Sequence, residues 1–449
     1  MYAQTKAPMD FFASNEDVEK MEAALLLAPQ DHALQLELAW ALRQRDSQRA
    51  LAMAENLRTH VLTPAQSLRL DLMHAEALGL NGKLLESEAL AQQVLQGFME
   101  LQDDLGCADA NWQLAWVVYR YGDVSQRRHF LQSIINNCTD DTRKLIAENT
   151  LLLADAFQNL NSVRLPWDTD FVDFASCHVA VSCVIQNLRG WVAAIVGDEV
   201  TAIFHWHRAY TEALASGQIA RAINIADSIC QSFANLHEYH TALEWQQTIL
   251  QLARRSNWRA PFGVALIGCG VFLRRFCIFD LAAEMLDEAQ TYFESNIHSR
   301  EYGVYLEVAA GIAIDRGEFD QALASFQQLE AIARQLRRPD LISAALCGQA
   351  KALSELGLAE VAQKTGLAAL AQATSITYEK IPALLALAAI HVRHAIPLPP
   401  SEEEQQTEQK VSSAALHYLL HALRLASEVK NYIVPGYLFD AIAEEYARL

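Results

Sequence analysis

One phrase recurs every forty residues through this 449-residue chain, and it constrains the fold more than any other feature. Its clearest copy is Ala310-x-x-Ala313-x-x-x-Gly317-Glu318-Phe319-x-x-Ala322-x-x-x-Phe326. Copies in the same register are Gly190-x-x-Ala193 with Gly197-Asp198 and Ala202, and Cys230-x-x-Phe233 with His237-Glu238-Tyr239 and Ala242. Two more are Gly270-x-x-Leu273 with Cys277-Ile278-Phe279 and Ala282, and Ala350-x-x-Leu353 with Gly357 and Ala362. Nearer the N-terminus, Ala75-x-x-Leu78 with Gly82 and Ala115-x-x-Val118 with Gly122-Asp123 are again forty apart. Self-similarity at a fixed period of this length marks a stacked array of supersecondary units.

The phrase has the physics of two antiparallel helices joined by a tight turn. A small residue on the first helix, A, lets the second, B, approach closely, and the Ala on B is its reciprocal partner. The Gly takes the left-handed conformation that ends A, and the acidic residue after it can start B. This is a tetratricopeptide-like pattern with longer helices than the usual period of about 34 residues allows. The rest of the chain agrees: Gly (18) and Pro (11) are scarce and hydrophobic residues make up 52%. The sequence therefore predicts an all-α, right-handed superhelical solenoid of about ten helix pairs, since a lone pair cannot bury its apolar face.

Residues 1–30 are expected to form an N-terminal capping helix, 31–165 the first repeats and 166–449 the remaining ones. Leu165-Pro166-Trp167-Asp168 falls where a B helix should begin, so that helix is delayed or shortened. A polar, Glu-rich loop insertion occupies 397–410. Tyr437 to Leu449 reads as one more helix A, an incomplete last repeat, and an A helix without its B leaves an apolar stripe open. The expectation is that the chain is the N-terminal part of a longer protein.

Several function classes are disfavoured. A net charge of −19 opposes nucleic-acid binding and docking on anionic membrane. The N-terminus lacks the basic and apolar regions of a secretory signal, and no apolar run reaches the length of a span. The eight scattered cysteines read as reduced core residues of a cytoplasmic protein. His205 and His207 point about 200° apart on a helix and do not converge; His237 and His240 could share a ligand but stand outside any HExxH pattern. No nucleophile elbow or phosphate loop occurs, so the reading is no catalytic residue, no metal and no cofactor in this chain.

Binding is the productive question. In such arrays the inner face is lined by helix A, and counting along the phrase selects Asn187 and Trp191, then Asn224, Asp227, Gln231 and Asn235, then Arg274 and Arg275, then Glu307 and Asp315. The same count selects Trp112 and Trp116, which read rather as packing between repeats. Asn side chains can bond a peptide backbone and Arg can fork onto a carboxylate, so the groove is expected to hold a protein or peptide ligand.

Two stretches resemble the N-terminal tetratricopeptide region of bacterial GGDEF-type diguanylate cyclases. One is Ala253-Arg254-Arg255-Ser256-Asn257-Trp258-Arg259-Ala260-Pro261 with Phe272-Leu273-Arg274-Arg275. The other runs from His394-Ala395-Ile396-Pro397-Leu398-Pro399-Pro400 through Ala414-Ala415-Leu416-His417-Tyr418-Leu419 to Val434-Pro435-Gly436. The resemblance implies a sensory or docking region that controls cyclic di-GMP synthesis from GTP, with possible self-association and a cyclase beyond residue 449. No GGDEF motif lies within the chain itself. The rival readings are a free-standing scaffold and a peptide-sensing regulator; the second lacks an evident helix-turn-helix.

Overall fold

The computed structural model of the chain describes residues 9–121, 123–160, 163, 165, 177–293, 297, 299–373, 380–394, 396–399, 413–428 and 436–449. Among these residues there are twenty-one α-helices and no strand. A short helix, α1 (Asn15–Leu27), comes first and is closed at its start by a reciprocal Ser14–Asp17 capping box. Antiparallel A/B pairs follow: α2 (His32–Leu42) with α3 (Ser47–Leu57), α4 (Pro64–Leu80) with α5 (Leu84–Glu100), and α6 (Asp104–Arg120) with α7 (Val124–Asn137). Helix α8 (Asp141–Asn159) stands as an A helix without a described B, because residues 166–176 lie outside the described set, and with them the expected fault at Pro166.

The regular part of the array comes next. It comprises α9 (Val179–Ile195) with α10 (Glu199–Ser216), α11 (Ile219–Asn235) with α12 (Tyr239–Ser256), and α13 (Arg259–Arg275) with α14 (Phe279–Phe293). Then come α15 (Arg300–Asp315) with α16 (Phe319–Gln335), α17 (Pro339–Glu355) with α18 (Ala359–Gln372), and α19 (Ile381–Arg393) with α20 (Ala414–Glu428). Helix α21 (Gly436–Arg448) ends the chain. Nine pairs are complete among the described residues, and the architecture is that of a tetratricopeptide-like helical-repeat array. Of the expected loop insertion, residues 400–410 lie outside the described set; Leu398, just before them, is buried.

The recurring phrase builds each pair as its chemistry dictates. Ala310, Ala322, Ala350 and Ala362 are wholly buried, as are Cys230 and Ala242. The A and B positions twelve residues apart touch directly: Cys230 Sγ donates to the Ala242 carbonyl at 3.3 Å, and Ser87 Oγ donates to the Ala75 carbonyl at 2.6 Å. At the turn, Gly317 (φ 78°) is left-handed, and Glu318 N donates back to the Ala313 carbonyl at 2.8 Å, closing the helix end. Where the phrase has no Gly, His237 (φ 61°) and Cys277 (φ 59°) are forced into the same conformation. The acidic residue contributes unequally. Asp123 accepts Gln126 N at 2.9 Å, whereas Glu238 and Glu318 make no side-chain cap bond.

Two compact units can be separated. Unit 1 comprises Met1–Val192, Val200–Ala234 and Glu238–Ala265; unit 2 comprises Ala193–Glu199, Asn235–His237 and Leu266–Leu449.

Candidate functional site

The groove residues selected from the sequence divide between the units, and each group is built from its own. In unit 2, Arg274 near the end of α13 donates its Nε to Asp315, at the end of α15, at 2.5 Å. With Val271 and Arg275 this pair lines a cavity of about 370 Å³. Helix α15 is all but bare of side-chain bulk at Gly311, and that is where the guanidinium of Arg274 lies; a Cβ there would collide with it. Glu307, one turn before Gly311 on α15, is partly buried. Burial and the nearby Asp340 raise its carboxyl above the ordinary range, against the opposing pull of Arg274 and Arg300. Asn235 donates to Glu199 at 2.9 Å, which fixes its amide.

The Arg274–Asp315 pair is about one-third exposed. Pairs of this kind contribute at most about 1 kcal/mol, so an incoming carboxylate or carbonyl can compete for the guanidinium without a large penalty. Charges of opposite sign on neighbouring A helices thus present a polar, exchangeable surface.

In unit 1, Asn187 on α9 is buried, and Trp191 is packed edge-on between Phe157 (4.9 Å) and Trp206 (5.1 Å). Trp191 therefore joins α8, α9 and α10. Asn224 on α11 is exposed, and Asp227 and Gln231 are partly so. Trp112 meets Phe11 edge-on at 5.6 Å, and the Trp116 ring lies against Gly79.

The histidines make no metal centre among the described residues. His205 Nδ1 shares a 2.7 Å hydrogen bond with Gln186 Oε1, and burial lowers its pKa. His207 sits between Phe233 and Trp245, also with a lowered pKa through burial. His237 is the turn residue of its repeat, and His240 faces Glu244 at 3.5 Å. Burial pushes the thiols of Cys183 and Cys347 up to about 12 and about 11, far from nucleophilic. No helix among the described residues is long and apolar enough to cross a membrane.

One feature was not foreseen from the sequence. Ahead of α1, Met9 to Ala13 form no helix, yet Phe11, Phe12 and Ala13 are at most 4% exposed. The Met9 carbonyl accepts from Arg143 Nη2 at 2.9 Å and that of Asp10 from Trp40 Nε1 at 3.0 Å. The Phe11 carbonyl accepts from Arg43 Nη2 at 2.9 Å and that of Ala13 from Arg45 Nη2 at 2.5 Å. The only sequence signal was an adjacent Phe pair in an otherwise polar flank.

A scan against protein-family models gives no match, and neither does a search of curated proteins. Among solved structures, a Rap protein complexed with competence and sporulation factor is similar over 86% of this chain and 97% of its own, at 12% identity and a TM-score of 0.46. The human IFIT1 dimer with PPP-AAAA is similar over 98% and 95%, at 13% identity and a TM-score of 0.45. The Cut9–Hcn1 hetero-tetramer of the APC/C is similar over 95% and 87%, at 14% identity and a TM-score of 0.37. The likeness is one of helical-repeat architecture alone.

Proposed function

We propose that this chain is a regulatory protein-interaction region, which binds an extended protein or peptide segment along its A-helix faces. The observation that carries the reading is the polar edge of unit 2, where Arg274, Arg275 and Asp315 from neighbouring A helices surround a cavity open to a ligand. An extended backbone offers carbonyls and N–H groups at regular spacing, and charged side chains repeated from one A helix to the next suit it. The regulated output in this reading is a diguanylate cyclase, supported by the resemblance of the Ala253–Pro261 stretch and of the stretch that begins at His394. Enzyme chemistry is assigned to that output rather than to these helices.

Display of random twelve-residue peptides against the immobilised chain tests the binding half. Enrichment of peptides sharing an acidic residue is expected; a selection that converges on nothing contradicts the reading. For the regulatory half, adding an enriched peptide to the full gene product with GTP should change cyclic di-GMP formation, and no cyclic di-GMP at all overturns the cyclase assignment.

A further inference from the structure

The Met9–Ala13 segment is held as a ligand is held. Four of its five carbonyls accept hydrogen bonds from side chains of other segments: Arg143, Trp40, Arg43 and Arg45. Bonding of that kind reads a backbone without regard to its sequence, and sequence enters at the two rings. Phe11 lies between the guanidiniums of Arg43 (5.7 Å) and Arg143 (5.3 Å) and against Trp112, while Phe12 lies beneath Arg43 at 4.7 Å. Such cation–π contacts strengthen where water is excluded.

Two of the four donors, Arg43 and Arg143, are fixed independently of the segment. Arg43 Nε donates to Glu76 at 2.8 Å and its Nη1 to the Trp40 carbonyl at 2.9 Å. Arg143 is held by Asp109 and Asp140, and Asp109 is also bonded by Arg69. These residues stand on α2, α4, α6 and α8 or at their starts and ends, all of them A helices of unit 1. A preorganised row of donors with two aromatic seats is a receptor surface, because little ordering cost falls on the bound chain.

We propose that the A-helix face of unit 1 is a peptide-binding site whose resident occupant is the chain's own Met9–Ala13. The partner it fits is a non-helical segment of another protein that bends at two consecutive aromatic residues as Phe11 and Phe12 do, and takes the same donors when the N-terminal segment leaves. The inference is separate from the unit 2 site: it shares with it the idea of a peptide ligand but none of its residues, so either can fail alone.

The test uses the full chain with Ala13→Cys, a small change at a buried position, and a synthetic peptide of residues 7–15. An exchangeable occupant exposes the introduced thiol only while it is out, and the peptide traps that state. Thiol labelling, located by mass spectrometry, should therefore accelerate with peptide concentration, by about tenfold at saturation. A control peptide with both phenylalanines replaced by serine should have no effect. Labelling that ignores the peptide, or proceeds in step with that of Cys183 deep in α9, shows a fixed part of the core and overturns the proposal. Phe11→Ser with Phe12→Ser in the full chain supplies a second arm. It should raise the affinity for a fluorescently labelled form of the residue 7–15 peptide, and adding Arg43→Gln should abolish the gain. No gain in a chain that retains its helical spectrum contradicts the exchange.

Discussion

Asp109 on α6 accepts Nε of Arg143, at the start of α8, at 2.8 Å, and neither side chain is more than 3% exposed. Arg69 on α4 bonds the same carboxylate from the other side, so three successive A helices meet at one buried charge. Burial works against the ionised form, yet Arg143 and Arg69 together outweigh it and hold the carboxyl below its ordinary value. Removing one member of such a network leaves the others uncompensated.

Asp109→Asn is accordingly expected to destabilise the protein by about 3–5 kcal/mol, the cost typical of breaking a buried ion pair. The urea midpoint at neutral pH measures it, and a midpoint within error of the unaltered chain's would show the network to be dispensable. The pH dependence has a definite sign. A depressed carboxyl pKa contributes stability that is present above the unfolded value of about 3.9 and lost as pH falls through the folded value. The Asn variant should lack this part of the acid-induced loss.

Cys277 occupies the turn position that Gly fills in other repeats, at a φ of 59°, with its side chain exposed. A side chain in the left-handed region costs about 1–2 kcal/mol. Cys277→Gly should therefore raise the melting temperature slightly, by relieving roughly that strain less the extra freedom of the unfolded chain. A lower melting temperature would mean that the thiol makes a contact worth more than the strain.

Gly348 on α17 is small for a packing reason. A Cβ there would run into the ring of Phe326 on the preceding B helix, α16. Gly348→Ala should cost about 1–3 kcal/mol, the range for overpacking a filled core. At Gly357 a Cβ would meet nothing within 4 Å, but φ is +79°, so Gly357→Ala should cost about 1–2 kcal/mol for a backbone reason alone. Thermal unfolding of the two variants measures both costs; an undiminished melting temperature for Gly348→Ala would contradict the packing argument.

The first turn of each repeat was legible because close helix approach admits few residue types at Ala310, Gly317 and Ala322. The second turn, from B to the next A, was not. Gly217, Asn257 and Arg337 are all left-handed there and fall on the forty-residue grid, yet they share no side-chain chemistry. Position alone fixes their backbone. The pairing of Arg274 with Asp315 also escaped the groove reading, though a signal existed: Arg69 with Asp109, Arg274 with Asp315 and Arg393 with Glu355 are opposite charges about one repeat apart. Met9–Ala13 was beyond reach because five residues outside any helix carry no periodicity, and the face that buries them is assembled from helices up to residue 143 and beyond.

The most direct measurement of whether the unit 2 edge binds a ligand is a calorimetric titration of a display-selected peptide into the unaltered chain and into Arg274→Gln with Arg275→Gln. Neutral side chains avoid setting a new negative charge against Asp315, so helical content should hold while the exposed ion pair is lost at a cost of at most about 1 kcal/mol. Binding through this edge predicts an affinity about 100-fold weaker in the variant, as two charge-assisted contacts would give. Equal affinity for both proteins would contradict it.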